Sequence, residues 1–204
     1  MNRYPEQIQE SVQLLKQMRQ NSHDFKIGDN VCLARRVVRL LDAIPDRGGH
    51  HTPYDKIFLL DILTDNIPCS DVPRFALSVY RRMLALFDVV QPSDMEDYDD
   101  PIEREWIEES CRKWTDYIDI DNVTDDEWRK RYSRHLRFDP VERTERWEAL
   151  YEQVEAEINE ELDPDMPRGM GFCFYHWSVK RDVLMRHGIA WRSPSAMNPG
   201  VMFD

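Results

Sequence analysis

The sequence predicts an all-α protein, a helical bundle of about seven or eight helices with an irregular C-terminal tail packed on it. Apolar residues recur at the spacing of one helix face along most of the first 168 residues. Helix start signals accompany these apolar residues. In each signal, a Thr or Asp stands directly before a proline or three residues before an acid. No segment combines alternating apolar residues with a hairpin turn, so no strand is predicted.

The N-terminal quarter predicts two helices. The first runs from Pro5 to about Ser22, with its apolar residues on one stripe. The second is capped by Asp29 or Asn30 and ends near Ile44. Apolar residues cover most of its circumference, which is typical of a helix in the centre of a bundle. These residues are Val31, Leu33, Ala34, Val37, Val38, Leu40, Leu41 and Ile44.

Two further helices follow a loop that contains residues 48–49, a glycine pair. Thr52 is a predicted N-cap, with Pro53 at the first helical position, where a missing N–H costs nothing. This helix is predicted to end near Asn66.

The fourth helix begins at Ser70 or Asp71 with Pro73 in its first turn. It is thickly apolar and is predicted to end before Pro92.

Three start signals predict the helices of the acidic half. Residues 100–103 and 139–142 each combine an Asp cap, a proline and a Glu three positions after the Asp. Residues 124–127 form a capping box with Thr at the cap. We expect the last of the three segments in chain order to open a long helix.

The C-terminal segment differs from the rest in being aromatic, mildly basic and nearly free of acids. Residues 163–171 predict a helix stop and joint, and 172–187 predict one more helix. Gly188 is expected to take the left-handed conformation after it, with Ile189 supplying the apolar contact of that ending. From Ala190 onward the sequence is turn material.

Composition divides the chain into an N-terminal apolar helical core (1–92), acidic amphipathic helices (93–168) and a C-terminal helix with a docking tail (169–204). At 204 residues, the three parts are expected to form one compact domain. The four cysteines are far apart, without a CxxC spacing, so no disulfide framework is predicted. No run approaches the roughly 20 apolar residues of a membrane helix. We therefore expect a cytoplasmic protein without a membrane span.

The net charge is −12, and most of it lies between Asp94 and Asp165. Phosphate backbones are bound by Lys and Arg, so direct nucleic-acid binding is not expected of this half. Much of the acid is the solvated side of amphipathic helices. Two sharper hypotheses are that the acidic surface docks a basic protein partner or imitates a nucleic acid.

Metal and catalytic motifs are not evident. Cys173 and His176 are three residues apart and share a helix face, but structural zinc needs four ligands and no second pair accompanies them. Nucleophile elbows and phosphate-binding loops are missing as well. We predict no metal, no cofactor and no catalytic residue.

One cluster in the C-terminal segment could bind a ligand, because aromatic planes and cations there can hold an anion or stack on a base. The alternative, which opposite charge favours, is that this segment packs on its own acidic bundle. The candidate ligand-binding residues are Cys173, His176, Trp177, Arg181, Trp191, Arg192 and Asn198.

The function favoured by these patterns is a non-enzymatic helical protein-interaction or adaptor module with an acidic surface. One alternative is a small-ligand-binding protein or enzyme with its site where the C-terminal segment meets the bundle. A second alternative is an acidic nucleic-acid mimic. Helical bundles serve many roles, so the fold class does not choose among them.

Overall fold

The computed structural model describes residues 4–24, 26–167 and 169–203. Within those ranges the chain forms nine α-helices, three short 3-10 turns and no β-strand, which confirms the all-α prediction. Arg168, which belongs to the predicted joint, lies outside the described residues. The α-helices are α1 Glu6–His23, α2 Asn30–Asp42, α3 Pro53–Asp65, α4 Pro73–Phe87, α5 Arg104–Ile118, α6 Asp125–Arg131, α7 Glu145–Glu161, α8 Phe172–Arg186 and α9 Pro194–Met197.

Contacts along the chain define two compact units. Unit 1 comprises residues 1–69 and 74–114, and unit 2 comprises 70–73 and 115–204. The division falls inside α5, so the last turn of that helix belongs to unit 2. The three segments predicted above are defined by composition, whereas these two units are defined by contacts. The three-segment division therefore stays a prediction.

Unit 1 is built on α1 to α4 and most of α5. Its core contains fully buried apolar side chains from every one of these helices, among them Met18, Val37, Leu60, Met83 and Ile107. Burial of such side chains contributes roughly 1.5–3 kcal/mol each and is the main force that holds the helices together.

Asn30 and the predicted Thr52 cap show how polar residues hold unit 1. The buried Asn30 amide donates to the Met18 and Asn66 carbonyl oxygens at 2.9 and 2.8 Å, so it links three helices. Thr52 caps α3 in a capping box with Asp55, which confirms that prediction.

The predicted start of α5 is wrong by three residues. The helix begins at Arg104 rather than at Pro101. The backbone N–H of Ile102 donates instead to the Tyr54 hydroxyl at 2.5 Å, and a tertiary hydrogen bond thus replaces the predicted first turn.

The predicted start of the long helix is also displaced. Asp139 and Glu142 form their capping box, but it opens the 3-10 turn Pro140–Arg143. Helix α7 begins at Glu145, where the Thr144 hydroxyl accepts from the Trp147 N–H at 3.3 Å. A second cap so close to the first explains the break, since each satisfies its own set of free backbone donors.

The end of α8 confirms the predicted glycine ending. Gly188 has φ +70°, and the Ile189 N–H donates to the Leu184 carbonyl at 2.9 Å. These are the features of a Schellman ending. The segment after Ala190, predicted as turns alone, contains the short helix α9, which Ser193 caps.

Across the described residues, no helix has both the length and the apolar character needed to cross a membrane. The four cysteines carry free thiols.

Candidate functional site on the C-terminal helix

Helix α8 and the segment after it pack on α7 within unit 2. Their shared core joins both ends of α7 to the residues that follow α8, and Trp147 and Trp191 meet there with ring centroids 6.1 Å apart. The C-terminal segment is therefore bound in cis. The buried members of this core are Trp147, Val154, Ile158, Leu162, Val183, Leu184, Ile189 and Trp191.

A charged centre lies on the buried face of α8. The Lys180 ammonium is 3.1 Å from Glu155 Oε1 and 3.8 Å from Asp71 Oδ1. Burial by itself would lower the pKa of Lys180, but the attraction of these two carboxylates outweighs it and raises the pKa. Lys180 is therefore held as a cation.

Aromatic rings surround the same ammonium. The Lys180 nitrogen lies 5.1 Å from the Trp147 ring centroid, 5.6 Å from Tyr151 and 5.8 Å from Trp191. Ring faces and carboxylates together make a cage suited to an ammonium group. The chain fills this cage with its own lysine, so the arrangement fastens α8 to α7. We use the name Lys180 cage for Lys180, its three surrounding rings and three nearby carboxyls: Trp147, Tyr151, Trp191, Asp71, Glu142 and Glu155.

Glu142 is the carboxyl of the cage that titrates near neutral pH. Its Oε1 accepts a hydrogen bond from the Trp191 indole at 2.7 Å. Burial and the nearby Asp71 raise the pKa of Glu142 to about 7, although Trp191 and Lys180 act in the opposite direction. Burial likewise raises the pKa of Asp71, and Lys180 opposes that rise. Glu142 and Asp71 repel each other, so protonation of Glu142 reduces the repulsion among the carboxylates near Lys180.

This geometry predicts a pH-dependent contribution of Glu142 to stability. A carboxyl whose pKa rises on folding stabilises the protein below its unfolded pKa, near 4.5, and that contribution is lost as pH rises through about 7. Glu142→Gln keeps an oxygen acceptor for Trp191 without the charge. We expect the variant to be more stable than the wild type at pH 8, by about 1–3 kcal/mol, and nearly equal at pH 4. Urea unfolding at a series of pH values measures this difference.

Glu145→Gln provides the matched control, because Glu145 is an exposed glutamate at the start of α7. It should leave the pH profile of unfolding as it is in the wild type. A Glu142→Gln profile parallel to that of the wild type between pH 4 and 8 would contradict the role assigned to this carboxyl.

Two of the predicted cations have different surroundings. The Arg192 backbone N–H and Nε both donate to Asp139 Oδ2, at 2.9 and 3.1 Å, which ties the segment after α8 to the turn before α7. Arg181 lies on the exposed side of α8, where its nearest carboxylate is Asp182 at 3.7 Å. Of these two cations, Arg192 therefore pairs with the acidic segment, whereas Arg181 pairs with its neighbour on α8.

The Asn198 side chain binds the protein backbone and is not available to a ligand. It is buried, its Oδ1 accepts from the Arg137 N–H, and its Nδ2 donates to the Arg137 carbonyl, both at 2.7 Å. A second bond from Nδ2 reaches the Pro194 carbonyl at 2.8 Å.

Cys173, His176 and Trp177 lie in the first half of α8 and are half-buried. The His176 ring is 6.2 Å from that of Phe172. Among the described residues, no group of three or more His, Cys, Asp or Glu side chains is arranged to hold a metal ion. Of the predicted ligand-binding set, Trp191 belongs to the Lys180 cage, whereas Trp177 belongs to an exposed cluster.

That cluster is formed by three rings. Trp177 makes edge-to-face contacts with Phe174 and Phe203, at centroid distances of 5.5 and 5.3 Å. Phe174 is 49% exposed, and Met202, next to Phe203, is 89% exposed. Val201 is exposed as well. We call Phe174, Trp177, Val201, Met202 and Phe203 the aromatic patch.

The fold and site define an all-α protein whose last long helix is held by a buried ammonium cage and carries the Phe174 and Trp177 rings of the aromatic patch in its first half. Comparison with protein-family models, with curated proteins and with solved structures finds no match for this chain.

The acids of the Lys180 cage were not identified from the sequence. In the sequence, Asp71 indicates the start of a helix and Glu142 belongs to a predicted capping box. Glu155 was one of many acids on α7. No local signal distinguishes them, because what sets them apart is the proximity of Lys180, which chain folding brings to them from another helix.

Proposed function

We propose that this protein is a helical protein-interaction module and that the aromatic patch of unit 2 is its contact surface. The observation that carries the proposal is the exposure of large apolar side chains next to one another on α8 and the C-terminal segment. Contiguous exposed apolar surface of this kind is typical of interaction sites. Aromatic residues and Met are also enriched at interface centres.

Rigid support makes the patch suitable for binding. Trp177 packs partly against the core shared by α7 and α8, and the Lys180 cage fixes the same helix. A partner would therefore meet side chains that are already positioned, so that less conformational entropy is lost on binding.

The partner that fits these properties is a basic protein that inserts apolar side chains into the patch. Around the patch, the Arg181 charge is balanced by Asp182, while the chain as a whole carries −12. A negative net charge accelerates encounter with a positive partner, and the apolar contact then supplies the affinity. Glu157 and Glu161 of α7 pair with Arg186, and Asp139 pairs with Arg192, so these acids are less available to imitate the phosphates of a nucleic acid.

A site-specific cross-link tests the proposal. A photo-reactive amino acid replaces Met202 in the full chain, expressed in cells of the source organism. We expect one discrete adduct with a basic protein, and we expect Phe174→Ser in the same chain to reduce its yield about tenfold, the effect of losing one interface hot spot. Phe174 is half exposed, so this change should leave thermal unfolding of the chain nearly unaltered.

The matched control places the photo-reactive residue at Val89, which is 51% exposed and lies in unit 1. No comparable adduct should form there. An adduct of similar yield at Val89, an adduct that Phe174→Ser does not weaken, or an adduct with a second copy of this chain would each contradict the proposal.

A further inference from the structure

A basic run interrupts the acidic half of the chain. Residues 129–137, RKRYSRHLR, contain five Arg or Lys residues and no acid. This is a local reversal of charge in a chain of net charge −12. Clustered cations of this kind mark a surface that attracts anions.

The run forms the end of α6 and the loop after it. Ser133 has φ +52°, and the Arg134 N–H donates to the Arg129 carbonyl at 2.8 Å. This is a helix ending that usually places glycine where Ser133 stands. A left-handed serine costs on the order of 1 kcal/mol, so the tertiary structure holds this reversal against a local preference.

Asn198 fixes the far end of the loop. Its side-chain amide makes both hydrogen bonds to the Arg137 backbone described above, so Arg137 is held beside the α9 segment. The backbone of Arg137 is therefore fixed by the fold, and its exposed side chain extends from that fixed point.

A groove of about 420 Å³ lies at this point. Its volume falls in the range of small-molecule sites and is too small for a folded partner. It is lined by Thr124, Asp125, Asp126, Arg129, Arg137, Phe138 and Met197.

The carboxylates of the groove are already paired. Asp125 accepts from the buried Arg143 at 2.5 Å, and Asp126 accepts from Arg129 at 2.7 Å. Hydrogen bonding to Arg129, with a smaller contribution from Arg137, lowers the pKa of Asp126. In the described part of the chain, the Arg137 side chain makes no ion pair within 4 Å. Its guanidinium is therefore available to bind an anionic ligand in the groove.

The apolar side of the groove is rigid. The Phe138 ring packs against Tyr117 and Trp128 at centroid distances of 5.4 and 5.7 Å. Met197 directly precedes Asn198, whose side chain is hydrogen-bonded to the Arg137 backbone. A planar apolar group of a ligand can pack against Phe138 and Met197 while its anionic group binds the Arg137 guanidinium.

We propose that this groove binds a small organic anion, a phosphate monoester or a carboxylate with a planar apolar part. Arg137 contacts the anionic group, and Phe138 and Met197 contact the planar part. This site is separate from the aromatic patch and does not depend on the proposed interaction function.

Titration of the full chain with phenyl phosphate, benzoate and inorganic phosphate, followed by NMR, tests the proposal. We expect saturable binding of phenyl phosphate or benzoate with Kd on the order of 0.1–1 mM. Inorganic phosphate should bind at least about tenfold more weakly, because it cannot contact the apolar wall. Tighter binding of phenyl phosphate than of benzoate indicates that the ligand is a phosphate monoester, and the reverse order indicates that it is a carboxylate.

Two matched variants locate the site. Arg137→Gln should weaken binding about tenfold, since it removes the charged hydrogen-bond donor of the groove. Arg134→Gln removes the same charge from the same loop outside the groove lining and should change Kd less than about twofold. No saturable binding below about 10 mM, equal binding of inorganic phosphate, or equal weakening by the two variants would overturn the proposal.

Discussion

Lys180→Met is expected to lower the free energy of unfolding by about 3–5 kcal/mol, which is typical of removing one partner from a buried ion pair. The substitution leaves Glu155 and Asp71 close together without the ammonium that compensates them. It also leaves the three-ring aromatic cage without its cation. Urea unfolding followed by tryptophan fluorescence at pH 7 measures the loss.

Arg181→Met is the control for this prediction, because Arg181 follows Lys180 on the same helix and its side chain is 57% exposed. It removes the same charge and should leave stability unchanged within error. The double variant Lys180→Met, Glu155→Gln should recover part of the loss, since one of the uncompensated charges is gone. Low pH should also reduce the loss, because the carboxyls then bind protons. A Lys180→Met protein as stable as the wild type would contradict the cage.

Arg143→Met is expected to have an effect of similar size, about 3–5 kcal/mol. Arg143 is 1% exposed, and its guanidinium donates to four acceptors in unit 2. Nε donates to the Tyr117 carbonyl at 2.6 Å, and the two terminal nitrogens reach Asp125, the Asp116 carbonyl and the Val123 carbonyl. Methionine fills similar space and satisfies none of these groups. The free energy of unfolding, measured with urea, tests this.

Arg143→Lys separates geometry from charge. A lysine keeps the cation but lacks the planar fork that spans four acceptors, so we expect it to recover less than half of the loss. Lys130→Met is the matched control, because Lys130 is exposed on α6. If Arg143→Met is too unstable to purify, hydrogen exchange of Arg143→Lys at residues 116–125 should still show faster opening than in the wild type. Unchanged exchange there would contradict the role of Arg143.

Arg143 and Lys180 illustrate how unit 2 uses cations. Each is a buried positive group that collects acceptors from distant parts of the sequence. These buried cations each satisfy several acceptors, whereas exposed cations such as Arg181 and Arg134 contribute little to stability. The Arg143 site also supports the groove, because Asp125 takes part in both.

The start and end signals that succeeded are those that act within a few residues. Thr52 and Thr124 form the predicted capping boxes, and Gly188 takes the predicted left-handed conformation. In each case the partners stand three to five positions apart, so the local sequence contains the whole interaction. The signal at Asp100 failed because the Ile102 N–H has a better partner in Tyr54, which is far away in sequence.

The sequence by itself determined the all-α class, most helix positions and the sign of the net charge, because helix periodicity and capping are local and charge is a sum over residues. Only the tertiary structure decided which acids interact with the buried Lys180 ammonium. Chain folding brings Asp71 and Glu155 within 3.8 and 3.1 Å of the Lys180 ammonium, and it buries Glu142 nearby, where burial raises its pKa to about 7. It also decided that Trp191 is buried while the Phe174 ring stays half exposed, although both are aromatic residues of the same segment. The exposure of Phe174 depends on which side of α8 faces α7, and the burial of Trp191 depends on how the segment after α8 packs against α7.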